Sequence, residues 1–120
     1  MKLKISSFAD AGNFHKERIV LKATTSTDVG YFVLMQAGFN GSEVTTDVLH
    51  TFWFPYKAIS PGDLVVVYTK SGKVSEKAIE GNRTAHFYYW GLGSAIWGKV
   101  DSSAVLLEAP EWESKNPSES

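Results

Sequence analysis

Cysteine is absent from this 120-residue sequence, and long apolar runs are absent as well. Without cysteine the chain has no disulfide framework, no thiol nucleophile and no cysteine-ligated metal site. No uninterrupted apolar run, 64–68 included, exceeds five residues, far below the ~20 that a membrane-spanning helix needs. The first twelve residues contain no apolar segment of the secretory kind. These absences predict a soluble, cytoplasmic chain without membrane contact.

Net charge is also small, at −1, but the charges are unevenly distributed. Residues 108–120 contain four glutamates and one lysine, which gives −3 and leaves +2 for the rest of the chain. Because the main part of the chain is so close to neutral, its overall electrostatic field does not attract polyanions. A local basic patch is still possible. We therefore expect one domain over residues 1–109 and an acidic, flexible tail over residues 110–120.

Helix signals are scarce and strand signals are frequent. No window of eleven residues shows apolar positions at helical spacing, and the best helical stretch, 74–80, is one or two turns long. Short runs of β-branched and aromatic residues alternate with glycine, proline, asparagine, aspartate and serine. They predict an all-β sandwich or barrel. The predicted strands are Leu3–Phe8, Arg18–Ala23, Tyr31–Gln36, Val44–His50, Thr51–Tyr56, Leu64–Lys70, Ala85–Tyr89, Ser94–Trp97 and Ala104–Glu108.

The order of several short motifs resembles that of a known family. The motifs are Leu3-Lys-Ile-Ser-Ser-Phe8, Glu17-Arg-Ile-Val-Leu21, Gly30-Tyr-Phe-Val-Leu34, Phe52-Trp-Phe-Pro55, Ile59-Ser-Pro-Gly-Asp-Leu-Val-Val-Val67 and Ala95-Ile-Trp97 followed by Val105-Leu-Leu107. Their succession is similar to that of the lamin tail domain, an immunoglobulin-like antiparallel β-sandwich. The resemblance implies an interaction module that binds proteins or DNA, with Trp97 as a structural residue and no cofactor. The sequence departs from the family pattern at Ala23, at Val29-Gly30-Tyr31 and at Val100-Asp101.

Aromatic residues are concentrated in two runs, 51–56 and 86–90. Strand alternation cannot bury all of them, because if Phe52 and Phe54 face the core then Trp53 faces outward. An outward patch of tryptophan and tyrosine is typical of a protein interface or of a surface that stacks on bases. The alternative is that a neighbouring loop covers these rings and makes them core. The candidate partner-binding residues are Trp53, Tyr56, Tyr88, Tyr89 and Trp90.

A basic cluster follows the fifth of these motifs, Ile59–Val67, in what the sequence predicts as one long loop. With Glu76 and Glu80 its net charge is +2, so it is a candidate anion site for phosphate, nucleic acid or an acidic protein surface. The alternative is a solvated loop without a ligand. The candidate anion-binding residues are Lys70, Lys73, Lys77 and Arg83.

Catalytic and metal-binding patterns are weak. The three histidines, His15, His50 and His86, show neither H-x-x-x-H nor H-E-x-x-H spacing, so we expect no metal site. The leading hypothesis is a non-catalytic module with a protein partner. Binding of nucleic acid or a nucleotide through the same surface is the alternative, and a histidine-based hydrolase is the third.

Two further interactions are possible, one through an edge strand and one through the tail. An unpaired edge strand, Arg18–Ala23 or Leu64–Lys70, could pair with a second copy of the chain to form a homodimer. The acidic tail with Trp112 is expected to bind a basic partner or to fold back over residues 70–83.

Overall fold

The structure, a computed structural model, describes residues 1–119, and its regular elements there are almost all β-strands. The element bounds are β1 (Leu3–Ala9), β2 (Arg18–Ala23), β3 (Thr27–Asp28), a 3-10 turn (Val29–Tyr31), β4 (Phe32–Phe39), β5 (Val44–Trp53), β6 (Ala58–Ile59), β7 (Leu64–Tyr68), β8 (Ser75–Ile79), β9 (Arg83–Tyr89) and β10 (Ser102–Glu108). This confirms the all-β prediction. Across residues 1–119, no helical segment has the length and apolar character needed to cross a membrane.

The strands form three sheets. A five-stranded sheet has the order β1-β2-β7-β9-β8, a three-stranded sheet has the order β10-β4-β5, and β3 pairs with β6. The pairing is antiparallel except between β7 and β9, which are parallel. The prediction of a purely antiparallel architecture is therefore wrong at this pair. After β7 the chain crosses to the edge of the sheet and forms β8. It then turns back at Gly81 and Asn82, both with positive φ, so that β9 lies between β7 and β8.

The core lies where the inward faces of the two larger sheets meet. Alternation in β2 buries Ile19 and Leu21 while Val20 faces outward, and the three-stranded sheet contributes Phe32 and Leu34. All four belong to one cluster of buried apolar side chains that draws on both sheets. Full burial of one such side chain contributes roughly 1.5–3 kcal/mol. Two sheets that share one core are compatible with a β-sandwich.

Several predicted strand boundaries need correction. Val44–His50 and Thr51–Tyr56 form one continuous strand that ends at Trp53. Ser94–Trp97 is not a strand, because the backbone N–H groups of Ile96 and Trp97 donate to the Glu17 carboxylate instead of to a neighbouring strand. The stretch 74–80 contains β8 rather than a helical turn, since pairing with β9 overrides its local preference.

Both strands that were predicted as dimer edges lie inside the five-stranded sheet. β2 pairs with β1 and β7, and β7 pairs with β2 and β9. Their hydrogen-bonding edges are therefore occupied, and this form of the homodimer prediction is wrong. The open edges of the two larger sheets are β1, β8, β10 and β5. The longest of them, β5, has register irregularities against β4 that disrupt an otherwise regular edge.

Candidate functional site

Four large aromatic rings are exposed together beside the 3-10 turn, and we call them the aromatic cluster: Tyr31, Trp53, Tyr56 and Trp112. Trp53 meets Trp112 edge to face with ring centroids 4.8 Å apart, and Tyr31 meets Tyr56 edge to face at 6.2 Å. Trp53 is 52% exposed and Tyr56 is 65% exposed, so the predicted outward orientation of both rings is confirmed. Tyr31 and Trp112 were not among the predicted partner-binding residues.

The backbone around Gly30 holds the aromatic cluster in place. The Trp53 indole Nε1–H donates to the Gly30 carbonyl at 3.3 Å. A Cβ at Gly30 would lie 2.8 Å from Tyr56 Cα, so only glycine allows this approach. Asp28 accepts hydrogen bonds from the N–H groups of Gly30 and Lys57, both at 2.8 Å. Tyr31, Trp53 and Tyr56 are therefore held by a fixed turn, while the tail contributes Trp112.

The acidic tail begins at the aromatic cluster, because the Ala109 N–H donates to the Tyr31 carbonyl. Trp112 then packs on Trp53, with Glu111 and Glu113 on either side along the chain. The expectation that the tail folds over residues 70–83 is therefore wrong for Trp112. Residues 110–119 contain no strand or helix and are exposed, and Ser120, the last residue of the predicted tail, lies outside the described residues.

Three of the predicted partner-binding residues lie elsewhere. Tyr88 is 2% exposed and belongs to the core, which corrects its predicted outward orientation. Trp90 is half-buried against the same core and its Nε1–H donates to the Thr51 carbonyl. Tyr89 faces the opposite side of the sheet and stacks on Tyr68 with centroids 5.2 Å apart. Tyr88 lies on the inner side of the sheet because it pairs with the buried Val67 of β7.

The basic residues do not form one long loop, since β8 lies between them, and this corrects the prediction. Lys77 on β8 and Arg83 on β9 share the outer side of the five-stranded sheet, while Lys73 stays in the turn before β8. Lys70 Nζ lies 5.3 Å from the centroid of the Tyr68 ring and Arg18 Cζ lies 5.8 Å from it. We call this side the basic sheet face, and by register and contact its cations are Lys4, Arg18, Lys22, Lys70, Lys77 and Arg83.

A fully buried carboxylate, Glu17, joins three separated parts of the chain. It accepts hydrogen bonds from the N–H groups of Gly12, Ile96 and Trp97 and from the Thr69 hydroxyl. Burial raises the pKa of Glu17, but the hydrogen bonds outweigh burial and hold the pKa below its usual value. With every oxygen satisfied by structural donors, this carboxylate positions the loops rather than a ligand. In the sequence, Glu17 stands out only as the first residue of the strand motif Glu17–Leu21.

A second buried acid, Asp63, holds His86. The His86 Nε2 lies 3.0 Å from Asp63 Oδ2, and Asp63 also accepts from the N–H groups of Ser60 and Thr84. Burial raises the pKa of Asp63. The hydrogen bonds from His86 and the two backbone donors lower this pKa by more than burial raises it, so the pKa lies below its usual value. Asp63 was missed from sequence, where the only signal was its place in a Pro-Gly-Asp turn.

The other two histidines lie apart from this pair in the fold. His15 lies in the turn before β2 against Phe14, and His50 lies on β5 with Nδ1 2.8 Å from Gln36 Oε1. The three histidines are therefore not gathered into one centre. Among residues 1–119, no three histidine, aspartate or glutamate side chains are arranged to hold a metal ion.

Comparisons of the chain with protein-family models, with curated proteins and with solved structures found no match.

Proposed function

We propose that this protein is a non-catalytic interaction module that binds a protein partner through the aromatic cluster. The observation that supports this most directly is the exposure of four large rings in two edge-to-face pairs, Tyr31 with Tyr56 and Trp53 with Trp112. Gly30 links the pairs, because it contacts Tyr56 and accepts the Trp53 indole hydrogen bond. Tryptophan and tyrosine provide most of the binding energy at many protein interfaces. Exposed apolar surface on this scale is otherwise unfavourable in a soluble protein.

The rigidity of the site supports the same proposal. The hydrogen bonds and the close packing around Gly30 fix three of the four rings, Tyr31, Trp53 and Tyr56, before a partner arrives. A preorganised surface loses little conformational entropy on binding, which favours affinity. We include in this proposal an immunoglobulin-like sandwich related to the lamin tail domain. The shared core of two sheets supports that relation, while the parallel β7–β9 pair departs from it.

Replacement of Trp53 by alanine is expected to weaken partner binding by at least about thirtyfold, the effect of losing an interface residue that contributes ~2 kcal/mol. The measurement is capture from lysate of the organism that makes the chain, after nuclease treatment, followed by titration of the captured protein. Leu49→Ala is the matched control, because Leu49 is equally exposed on the same strand but lies outside the aromatic cluster. Equal capture by wild type and Trp53→Ala would contradict the proposal.

The basic sheet face favours a second candidate function, the binding of single-stranded nucleic acid. Two of its six cations, Arg18 and Lys70, lie over the Tyr68 ring, which stacks on Tyr89 on the outer side of the sheet. Arg18 also forms an ion pair with Asp10 at 2.7 Å, so within residues 1–119 the other five carry the unpaired positive charge of this face. Cations beside aromatic rings are typical of surfaces that follow a phosphate backbone and stack on bases. The charge is local, since the whole chain carries −1.

If nucleic acid binds there, affinity for a short single strand should fall at least roughly tenfold between about 50 and 200 mM salt, because phosphate contacts release counterions. The double variant Lys22→Glu, Lys77→Glu should reduce both the affinity and the dependence on salt. Lys99→Glu is the control, since Lys99 lies outside the basic sheet face. Fluorescence anisotropy with a labelled strand measures both quantities, and affinity that is independent of salt would exclude this function.

A further inference from the structure

A small pocket of about 170 Å³ opens between β8, β9 and the segment before β6. It is lined by Lys57, Val74, Ser75, Glu76, His86 and Tyr88. Three of these side chains supply hydrogen-bond donors: the Lys57 ammonium, the Tyr88 hydroxyl and, when protonated, the His86 Nδ1. The acceptor among the charged groups that line the pocket is the Glu76 carboxylate. The charged and polar groups that line the pocket therefore include more donors than acceptors.

The imidazole of His86 is held in a fixed orientation at the back of this pocket. Its side chain is 6% exposed, and its Nε2 lies 3.0 Å from Asp63 Oδ2. Because Asp63 also accepts two backbone N–H groups, it is an ionised acceptor and keeps a proton on Nε2. The Nδ1 therefore faces the pocket. The nearest acidic oxygen to Nδ1 is Glu76 Oε2 at 3.8 Å, which is beyond hydrogen-bond distance.

Glu76 bridges two of the donors loosely. Its Oε1 lies 3.4 Å from Lys57 Nζ while its Oε2 faces His86 Nδ1. Glu76 lies on the edge strand β8 and its side chain is exposed. An exposed ion pair with long contacts contributes little to stability. The Glu76 carboxylate can therefore leave this position without unfolding the protein.

We propose that this pocket binds the carboxylate group of a small aliphatic ligand, which replaces the carboxylate of Glu76 between Lys57 and His86. The Val74 side chain and the Tyr88 ring supply apolar walls for a short alkyl chain. The volume admits only a few non-hydrogen atoms beyond the carboxylate. The same chemistry occurs in a free short-chain acid and in the C-terminus of a peptide. This proposal is independent of the aromatic cluster and of the basic sheet face.

Titration of the full chain with sodium propionate, monitored by NMR of the His86 ring and the Tyr88 amide, tests the proposal. Sodium chloride at equal ionic strength is the control. We expect saturable shifts with propionate and no saturable shifts with chloride. Glu76→Gln should raise affinity about tenfold, because the competing internal carboxylate is gone, and Lys57→Met should lower it about tenfold. Both positions are exposed, so both variants should fold.

Two versions of an uncharged-side-chain tripeptide, one with a free C-terminus and one with an amidated C-terminus, distinguish a free short-chain acid from a peptide C-terminus as the ligand. Shifts from propionate alone assign the site to free acids, and shifts from the free tripeptide but not its amide assign it to a peptide C-terminus. Absence of saturable shifts with all of these probes would overturn the proposal. An affinity that Glu76→Gln leaves unchanged or reduces would also overturn it, since the position would then not be shared.

Discussion

Glu17→Gln is expected to lower the free energy of unfolding by roughly 3–5 kcal/mol, because hydrogen bonds to a buried charge contribute about 1.5–3 kcal/mol each. The amide that replaces one carboxylate oxygen would direct its own N–H groups at donors such as the Ile96 N–H or the Gly12 N–H. Urea unfolding followed by tryptophan fluorescence measures the loss as a decrease of roughly 2 M in the midpoint.

A matched control separates this effect from a general change of charge. Glu43→Gln removes the same charge from an exposed turn before β5 and should leave the urea midpoint nearly unchanged. Equal midpoints for wild type and Glu17→Gln would mean that the Glu17 carboxylate does not hold the loops. A decrease of the same size in both variants would point to net charge instead.

The pH dependence of stability gives an independent signature of Glu17. Its pKa in the folded state lies below the usual value of 4.5. Its contribution is therefore complete above 4.5 and is lost as pH falls through the lower folded value. The difference in stability between wild type and Glu17→Gln should shrink in that acidic range. Some acid sensitivity should remain in the variant, because the pKa of Asp63 is also lowered in the folded protein.

Much of the strand pattern could be predicted from the sequence. β2 has the predicted bounds Arg18–Ala23, and Ile19 and Leu21 are buried as their alternation indicates. The all-β class follows from such local patterns, which depend only on neighbours in the chain. β8 could not be predicted, because Ser75–Ile79 contains residues that suit a helix and becomes a strand only by pairing with β9.

The candidate sites were only partly predictable for a related reason. Trp53 was correctly placed outside by alternation with Phe52 and Phe54. Its neighbours in the aromatic cluster, Tyr31 and Trp112, come from residues 22 positions before it and 59 positions after it in the sequence. The pairing of Asp63 with His86 likewise joins two elements that only the sheet order brings together. Contacts of this kind depend on topology rather than on local pattern.

Tyr88→Ala is expected to lower the free energy of unfolding by roughly 3–5 kcal/mol, the range for removing a large buried ring. The Tyr88 ring packs edge to face on Phe54 at 5.3 Å and on Phe52 at 6.1 Å, so alanine leaves a cavity between the two sheets. Burial, with the negative charges of Asp28 and Glu76, raises the pKa of Tyr88, so the hydroxyl stays protonated and Tyr88→Phe deletes only a neutral group. Tyr88→Phe should therefore cost much less than Tyr88→Ala.

Trp53→Ala is the comparison for Tyr88→Ala. Each variant removes one large ring, Trp53 from the run 51–56 and Tyr88 from the run 86–90. It should cost no more than about 1 kcal/mol, because the Trp53 ring is half-exposed, its aromatic contact is with the exposed Trp112, and its hydrogen bond to Gly30 is long at 3.3 Å. Urea midpoints of the three variants measure these differences directly. A loss for Trp53→Ala as large as that for Tyr88→Ala would make the aromatic cluster a part of the core. A small loss, together with lost partner capture, separates the two rings into one that stabilises the fold and one that binds.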